Sequence, residues 1–252
     1  MLNKDIYDKK IADLREITIS DKPKTSINEL FFEIIGNELN NDMNILDIGT
    51  GNGFVLKEIK KRFPMKVNLY GSDNSEQMLK KAKENCIDCT FVLCDNYKLQ
   101  FDSNFFDIVV AKNVTRFSAR EIYRVLKPGG LFIFREYGKY KGMIEISKEF
   151  KKRLIRGRYK SFYDSKMKKN GFKVINSEYI YEKRIFNDIE TIINTIESFP
   201  MIENFCENDK ELLKSKYKND KNITIKSDGF IAIYKKEEIW KKNYLKEKLY
   251  ML

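Results

Sequence analysis

The stretch Asn44 to Leu56, NILDIGTGNGFVL, constrains this 252-residue chain more than any other. A short apolar run, Ile45, Leu46 and Ile48, predicts a buried strand, and Phe54, Val55, Leu56 and Ile59 recur at helical spacing after it. Between the two stand Gly49, Gly51 and Gly53. A side chain at such a turn would hold the backbone away from a ligand lying across the strand end, so alternating glycines predict a nucleotide-like ligand seated there. The dinucleotide fingerprint G-x-G-x-x-G would need its third glycine where Phe54 stands, and that form is excluded by the spacing.

Asp47, two residues before the first glycine, narrows the choice. Its carboxylate would repel a pyrophosphate, but it suits the ammonium or sulfonium of S-adenosylmethionine. At this point the stretch resembles motif I of the class I S-adenosylmethionine-dependent methyltransferases, in the form Asp-x-Gly-x-Gly-x-Gly. Further signals follow in the family's order. Val67 to Tyr70 predicts a second strand, with Asp73 just beyond it, 22 residues after Gly51, and Asp95-Asn96 follow a third strand at Thr90 to Leu93. Phe105 to Ala111 resembles the fourth strand, with Lys112 to Phe117 at its carboxyl end. Arg124 to Gly130, RVLKPGG, is the most family-specific segment; its Pro and Gly stop a helix and turn into strand five. The resemblance covers about residues 42–182 and the last strand.

It implies an α/β fold: a doubly wound, mostly parallel seven-stranded sheet in the order 3-2-1-4-5-7-6, strand seven antiparallel, helices on both faces. It implies S-adenosyl-L-methionine as cofactor and S-adenosyl-L-homocysteine as product. The cofactor set carried over is Asp47, Gly49, Thr50, Gly51, Gly53, Asp73, Asn74, Met78, Asp95, Asn96 and Asn113. Within it, Asp73 takes the ribose hydroxyls and Asp95 the adenine amino group. Met78 packs either on the adenine face or in the core. Asp73 could also cap the helix expected over Ser75 to Asn85, a role compatible with ribose binding.

Around this frame, Ile27, Leu30, Phe31, Ile34, Ile35 and Leu39 predict a helix in an N-terminal segment, 1–40, that packs near the cofactor. The domain proper is 41–252. Strand six is expected over Phe172 to Tyr181 and strand seven over Ser227 to Lys235, with a helical insertion at about 187–220 between them. The insertion suits a lid or pocket wall, or equally a dimer contact. The tail 236–252 reads as a basic amphipathic helix around Trp240 and Tyr244.

The formal charge is +11, and residues 139–169 alone hold twelve Lys or Arg against three acids. Such a segment suits either an anion-recruiting surface or a solvated helix with Met143, Ile146, Phe150 and Leu154 inward. Substrate candidates are Arg116, Arg135, Tyr137 and Lys139, at strand ends on the ligand side. The chain has no histidine, so a histidine base is excluded; Glu136, Tyr137 and Tyr7 are weak candidates for that role. Cys86, Cys89, Cys94 and Cys206 suggest reduced thiols in a cytoplasm and no metal site. No run is long and apolar enough for a membrane span. The expected partner is a small-molecule or short-peptide acceptor, an anionic one among the options, for a monomer or homodimer. An RNA methyltransferase using the 139–169 surface and a non-catalytic cofactor-binding protein are the alternatives.

Overall fold

The computed structural model describes residues 26–218 and 220–237. Expectations about Tyr7 to Ile19 and about the tail beyond 237 lie outside the described residues. The apolar run after Asn44 forms β1 (Asn44–Ile48), and its neighbours are β2 (Asn68–Asp73), β3 (Thr90–Leu93) and β4 (Phe106–Lys112). The sheet is completed by β5 (Leu126–Tyr137), β6 (Phe172–Phe186) and β7 (Ile223–Lys236), in the order 3-2-1-4-5-7-6. β7 runs antiparallel to β5 and β6, and the other pairings are parallel, as the family resemblance implies. Strand order reverses between β1 and β4, which opens a crevice at their carboxyl ends.

Period-two alternation splits the core. Leu46, Ile48, Val109, Ala111, Phe132 and Phe134 face one layer, with Phe117 and Tyr163. Ile45, Ile108, Val110 and Ile133 face the other, where they meet Phe31, Phe32 and Ile35 of α1 (Ser26–Glu38) and Leu56 and Ile59 of α2 (Phe54–Arg62). Glu29 of α1 holds the Arg62 guanidinium at 2.8 Å, which ties the two helices together. The remaining helices are α3 (Glu76–Asn85), α4 (Ala119–Val125), α5 (Ile144–Glu149), α6 (Lys160–Lys169), α7 (Ile189–Ser198) and α8 (Glu207–Lys216). Ser75 caps α3, its hydroxyl accepting from the Met78 N–H at 3.3 Å. Asp73 instead accepts from the Ser75 N–H at 3.0 Å, one step upstream of the cap.

Several boundaries differ from the sequence expectations. β2 continues past Tyr70 through Gly71, Ser72 and Asp73, because each pairs with β3. β5 begins at Leu126 directly after α4, and the Pro128-Gly129-Gly130 segment is absorbed as an irregularity opposite Phe106 and Ile108. β6 runs on to Phe186 and β7 starts at Ile223, and these two residues form the last rung of their ladder. That ladder carries a third apolar cluster beyond the main sheet. There Ile192, Ile193 and Ile196 of α7 and Leu213 of α8 pack with Met143, Ile146, Phe150 and Leu154. Cys86 and Cys89 form a disulfide, with Cα atoms 5.5 Å apart, which corrects the expectation of reduced thiols at these positions. Among the described residues no helix is long and apolar enough to cross a membrane, and no cluster of three metal-ligating side chains occurs.

Candidate functional site

A cavity of about 600 Å³ opens at the carboxyl ends of the central strands, within the range of small-molecule sites. The glycine turn forms its floor. Gly51 has φ +57°, and a Cβ built there would meet nothing within 4 Å, so this face of the turn borders open space. The Gly51 N–H donates to Asp73 Oδ2 at 2.9 Å, which locks the turn to the end of β2. Asn74 and Met78 border the cavity beside Asp73, and Asp95, Asn96 and Tyr97 border it from the end of β3. Asp95 Oδ1 accepts from the Tyr97 N–H at 2.8 Å, and the buried Asn96 Oδ1 has no partner.

Deeper in, the charges are enclosed. Asp47 is 1% exposed and its Oδ2 is unpartnered. Burial pushes its carboxyl up to about 7, against the opposing pull of the Thr50 hydroxyl and the Lys112 ammonium. Lys112, at the end of β4, is pushed down to about 8, first by desolvation and then by the nearby Arg135 charge. Its ammonium sits 5.1 Å from the Phe54 ring centroid. Asn113 follows with φ +60°, a left-handed conformation rare for a residue with a side chain. Its amide oxygen accepts from Arg135 Nη1, and its N–H donates to the Arg135 carbonyl at 2.9 Å. Glu136 is 3% exposed; Oε1 accepts from the Tyr137 N–H at 2.7 Å and Oε2 is unpartnered. Burial raises its carboxyl, with Lys141, Arg135 and Lys112 opposing.

The far wall is apolar and comes from elsewhere in the chain. Met143 and Ile155 contribute from the segment after β5, and Thr195, Phe199, Pro200 and Met201 from the end of α7 onward. Tyr137, Lys141 and Arg184 close that side. Helix spacing in α7 places Ile192, Ile193 and Ile196 against the third cluster, and the chain then turns back over the cavity.

Of the cofactor residues expected from sequence, Asp47, Gly49, Thr50, Gly51, Asp73, Asn74, Met78, Asp95, Asn96 and Asn113 border the cavity. Gly53 does not: it precedes α2 with φ +78° and presses on Ala82, 3.2 Å from an added Cβ. Among the substrate candidates, Arg116 and Tyr137 border the cavity, whereas Arg135 and Lys139 do not. Arg135 is 1% exposed and spends its charge on Asn113 and on the Tyr137 ring, 4.1 Å away. It therefore holds other side chains in place. Lys139 lies over Tyr140, with its ammonium 5.2 Å from the ring centroid. The sequence sets Lys112 at the ligand end of strand four without marking it as a site residue, and it does not single out Lys141 or Arg184. Lys112 carried a usable signal, since it directly follows strand four; Arg184 carried none, because β6 was expected to end before it.

Residues 45–130 match the family model described as Methyltransferase domain. The chain is 37% identical over 107 residues to cycloartenol-C-24-methyltransferase 1 of Oryza sativa subsp. japonica, a match covering 38% of this chain and 30% of that protein. It is 26% identical over 210 residues to the ubiquinone/menaquinone biosynthesis C-methyltransferase UbiE of Rickettsia bellii, covering 77% and 76% of the two chains. Among solved structures, phosphoethanolamine N-methyltransferase 2 of Haemonchus contortus, in complex with phosphomonomethylethanolamine and S-adenosylhomocysteine, superposes with a TM-score of 0.60 at 22% identity. That superposition covers 92% of this chain and 58% of the other, and at this identity it speaks to the fold.

Proposed function

We propose that this chain, which carries a class I S-adenosylmethionine-dependent methyltransferase domain, moves a methyl group from S-adenosylmethionine to a small-molecule acceptor. The observation that carries the reading is a single cavity with two unlike ends. One end has the open face of Gly51, the Asp73 carboxylate and the unpartnered oxygens of Asp47 and Asn96, which fit a cationic nucleoside. The other has an apolar wall, Met143, Ile155, Phe199 and Met201, that fits a compact acceptor and encloses it.

On this reading Asp73 would hold the ribose hydroxyls, Met78, Asp95 and Asn96 would hold the adenine, and Asp47 would answer the donor's positive charge. When bound, the donor supplies a methyl group on a positively charged sulfur, so no strong base is needed to expel the leaving group. The chain's own contribution is alignment and exclusion of water, worth on the order of 7–11 kcal/mol in well-oriented cases. Glu136 is the wall carboxylate with an oxygen to spare for an acceptor O–H or N–H. The backbone of Asn113, pinned by Arg135, keeps the end of β4 fixed beside the reacting region.

The test is calorimetry with S-adenosylhomocysteine, followed by labelled-methyl transfer into extracted metabolites and into total RNA. Stoichiometric binding and label in the metabolite fraction are expected. Absence of binding defeats the reading, and label confined to RNA replaces the small acceptor with a nucleic acid.

A further inference from the structure

We infer that Arg184 is an oxyanion-docking residue, and that the acceptor is a small molecule with an apolar body and one carboxylate or phosphate group. This rests on the reading of the cavity as a methyl-transfer site and names the chemistry of its acceptor end. Arg184 lies on β6, is 2% exposed and borders the cavity. One N–H of its guanidinium donates to the Gly142 carbonyl at 3.2 Å, while its Nε has no partner. Its guanidinium carbon stands 4.8 Å from the Phe186 ring centroid and 5.8 Å from that of Tyr137. No described carboxylate pairs with it.

A guanidinium has five donors in a fixed fork and cannot lose its charge, so enclosing one without an anion is costly. The nearby acid does not relieve that cost. Glu136 already answers to Lys141, Arg135 and Lys112, which all pull its carboxyl down. Lys141 is itself set in the wall with φ +55°, a backbone conformation unfavourable for lysine. Lys112 is answered by Asp47 and Glu136, and Lys141 by Glu136 and Asp228, which leaves Arg184 as the cavity-lining cation of this end with no carboxylate partner among the described residues. The planar fork suits a carboxylate or phosphate, held bidentately. Met143, Ile155, Phe199 and Met201 suit an apolar remainder.

The probes are phenylphosphate and benzoate, with benzamide as the uncharged counterpart. Each is titrated into the full-length protein, both unliganded and saturated with S-adenosylhomocysteine, and followed by thermal shift and calorimetry. Both oxyanions should bind and benzamide should not. Arg184→Gln should weaken oxyanion binding roughly tenfold or more, and Arg184→Lys should restore part of it. In both variants the shift produced by S-adenosylhomocysteine should match wild type, which shows that they fold. Benzamide binding as tightly as benzoate, no binding by either oxyanion, or unchanged affinity in Arg184→Gln each overturns the assignment. If S-adenosylhomocysteine itself fails to bind, the proposed function falls, and the oxyanion series on the unliganded protein still decides the role of Arg184.

Discussion

Replacing Asp47 by Asn isolates the energetic cost of preparing the cavity for a cation. Asp47 is 1% exposed, and its carboxyl is raised from 3.8 to about 7, chiefly by burial. Because the folded value lies above the unfolded one, the folded protein binds the extra proton. The associated stability is fully present below the ordinary carboxylate range and is lost as pH rises toward about 7. About three pK steps at ~1.4 kcal/mol each set a ceiling of about 4 kcal/mol. Lys112 faces Asp47 and loses a partner in the variant, which brings the expected difference to about 2–4 kcal/mol. The assay is urea unfolding of the unliganded wild type and Asp47→Asn at about pH 5 and about pH 8. Because about two of the three pK steps lie above pH 5, wild type should lose about 2–3 kcal/mol relative to the variant between the two, Lys112 being the other titrating group that the substitution touches. S-adenosylhomocysteine binding near neutral pH should release protons from wild type and fewer from the variant, measured in buffers of different ionisation enthalpy. Parallel stability profiles would refute the claim that a buried, reluctant carboxylate is held in this wall.

Three further substitutions probe the frame. Gly51→Val, at φ +57° with its side chain directed into open cavity, should remove measurable S-adenosylhomocysteine binding for about 1–2 kcal/mol of folding stability; retained affinity by calorimetry contradicts the site. Asp73→Ala deprives the Gly51 and Ser75 N–H groups of their acceptor, at 2.9 and 3.0 Å, so both stability, by about 1–3 kcal/mol, and affinity for S-adenosylhomocysteine should fall. Unchanged affinity would remove Asp73 from the donor site. Gly157→Ala would place a Cβ 2.2 Å from the Gly138 carbonyl oxygen, where two stretches of backbone meet, and should lower stability by about 1–3 kcal/mol; an unchanged thermal midpoint would show that the contact gives way freely.

The glycine-turn side of the cavity was legible in the sequence because it is local. Asp47, the glycines, Asp73 and Asp95 each sit at the end of a short apolar run, and a parallel sheet brings such ends together. The opposite wall was not. The sequence pattern ends strand six at Tyr181, yet pairing with Ile225 keeps Arg184 in strand. Arg135 was misread for the opposite reason. Its place near the end of β5 suggested a ligand contact, but it is buried between strands and bonded to Asn113. The Cys86–Cys89 disulfide was equally hidden, since a C-x-x-C spacing at a helix end is compatible with free thiols, metal or a bond.

The continuation of β6 and β7 to the Phe186–Ile223 rung separates two kinds of responsibility within one polypeptide. The residues proposed to meet the donor are carried by the ends of β1, β2, β3 and β4, whereas most of the opposing wall is grafted onto a two-stranded arm and the segment packed against it. On the proposed function, exchanging the stretch between Asn187 and Asn222 for one of another length would therefore reshape what is accepted while leaving what is donated untouched. A chain built in this way can acquire new chemistry at one end of its chamber without renegotiating the other.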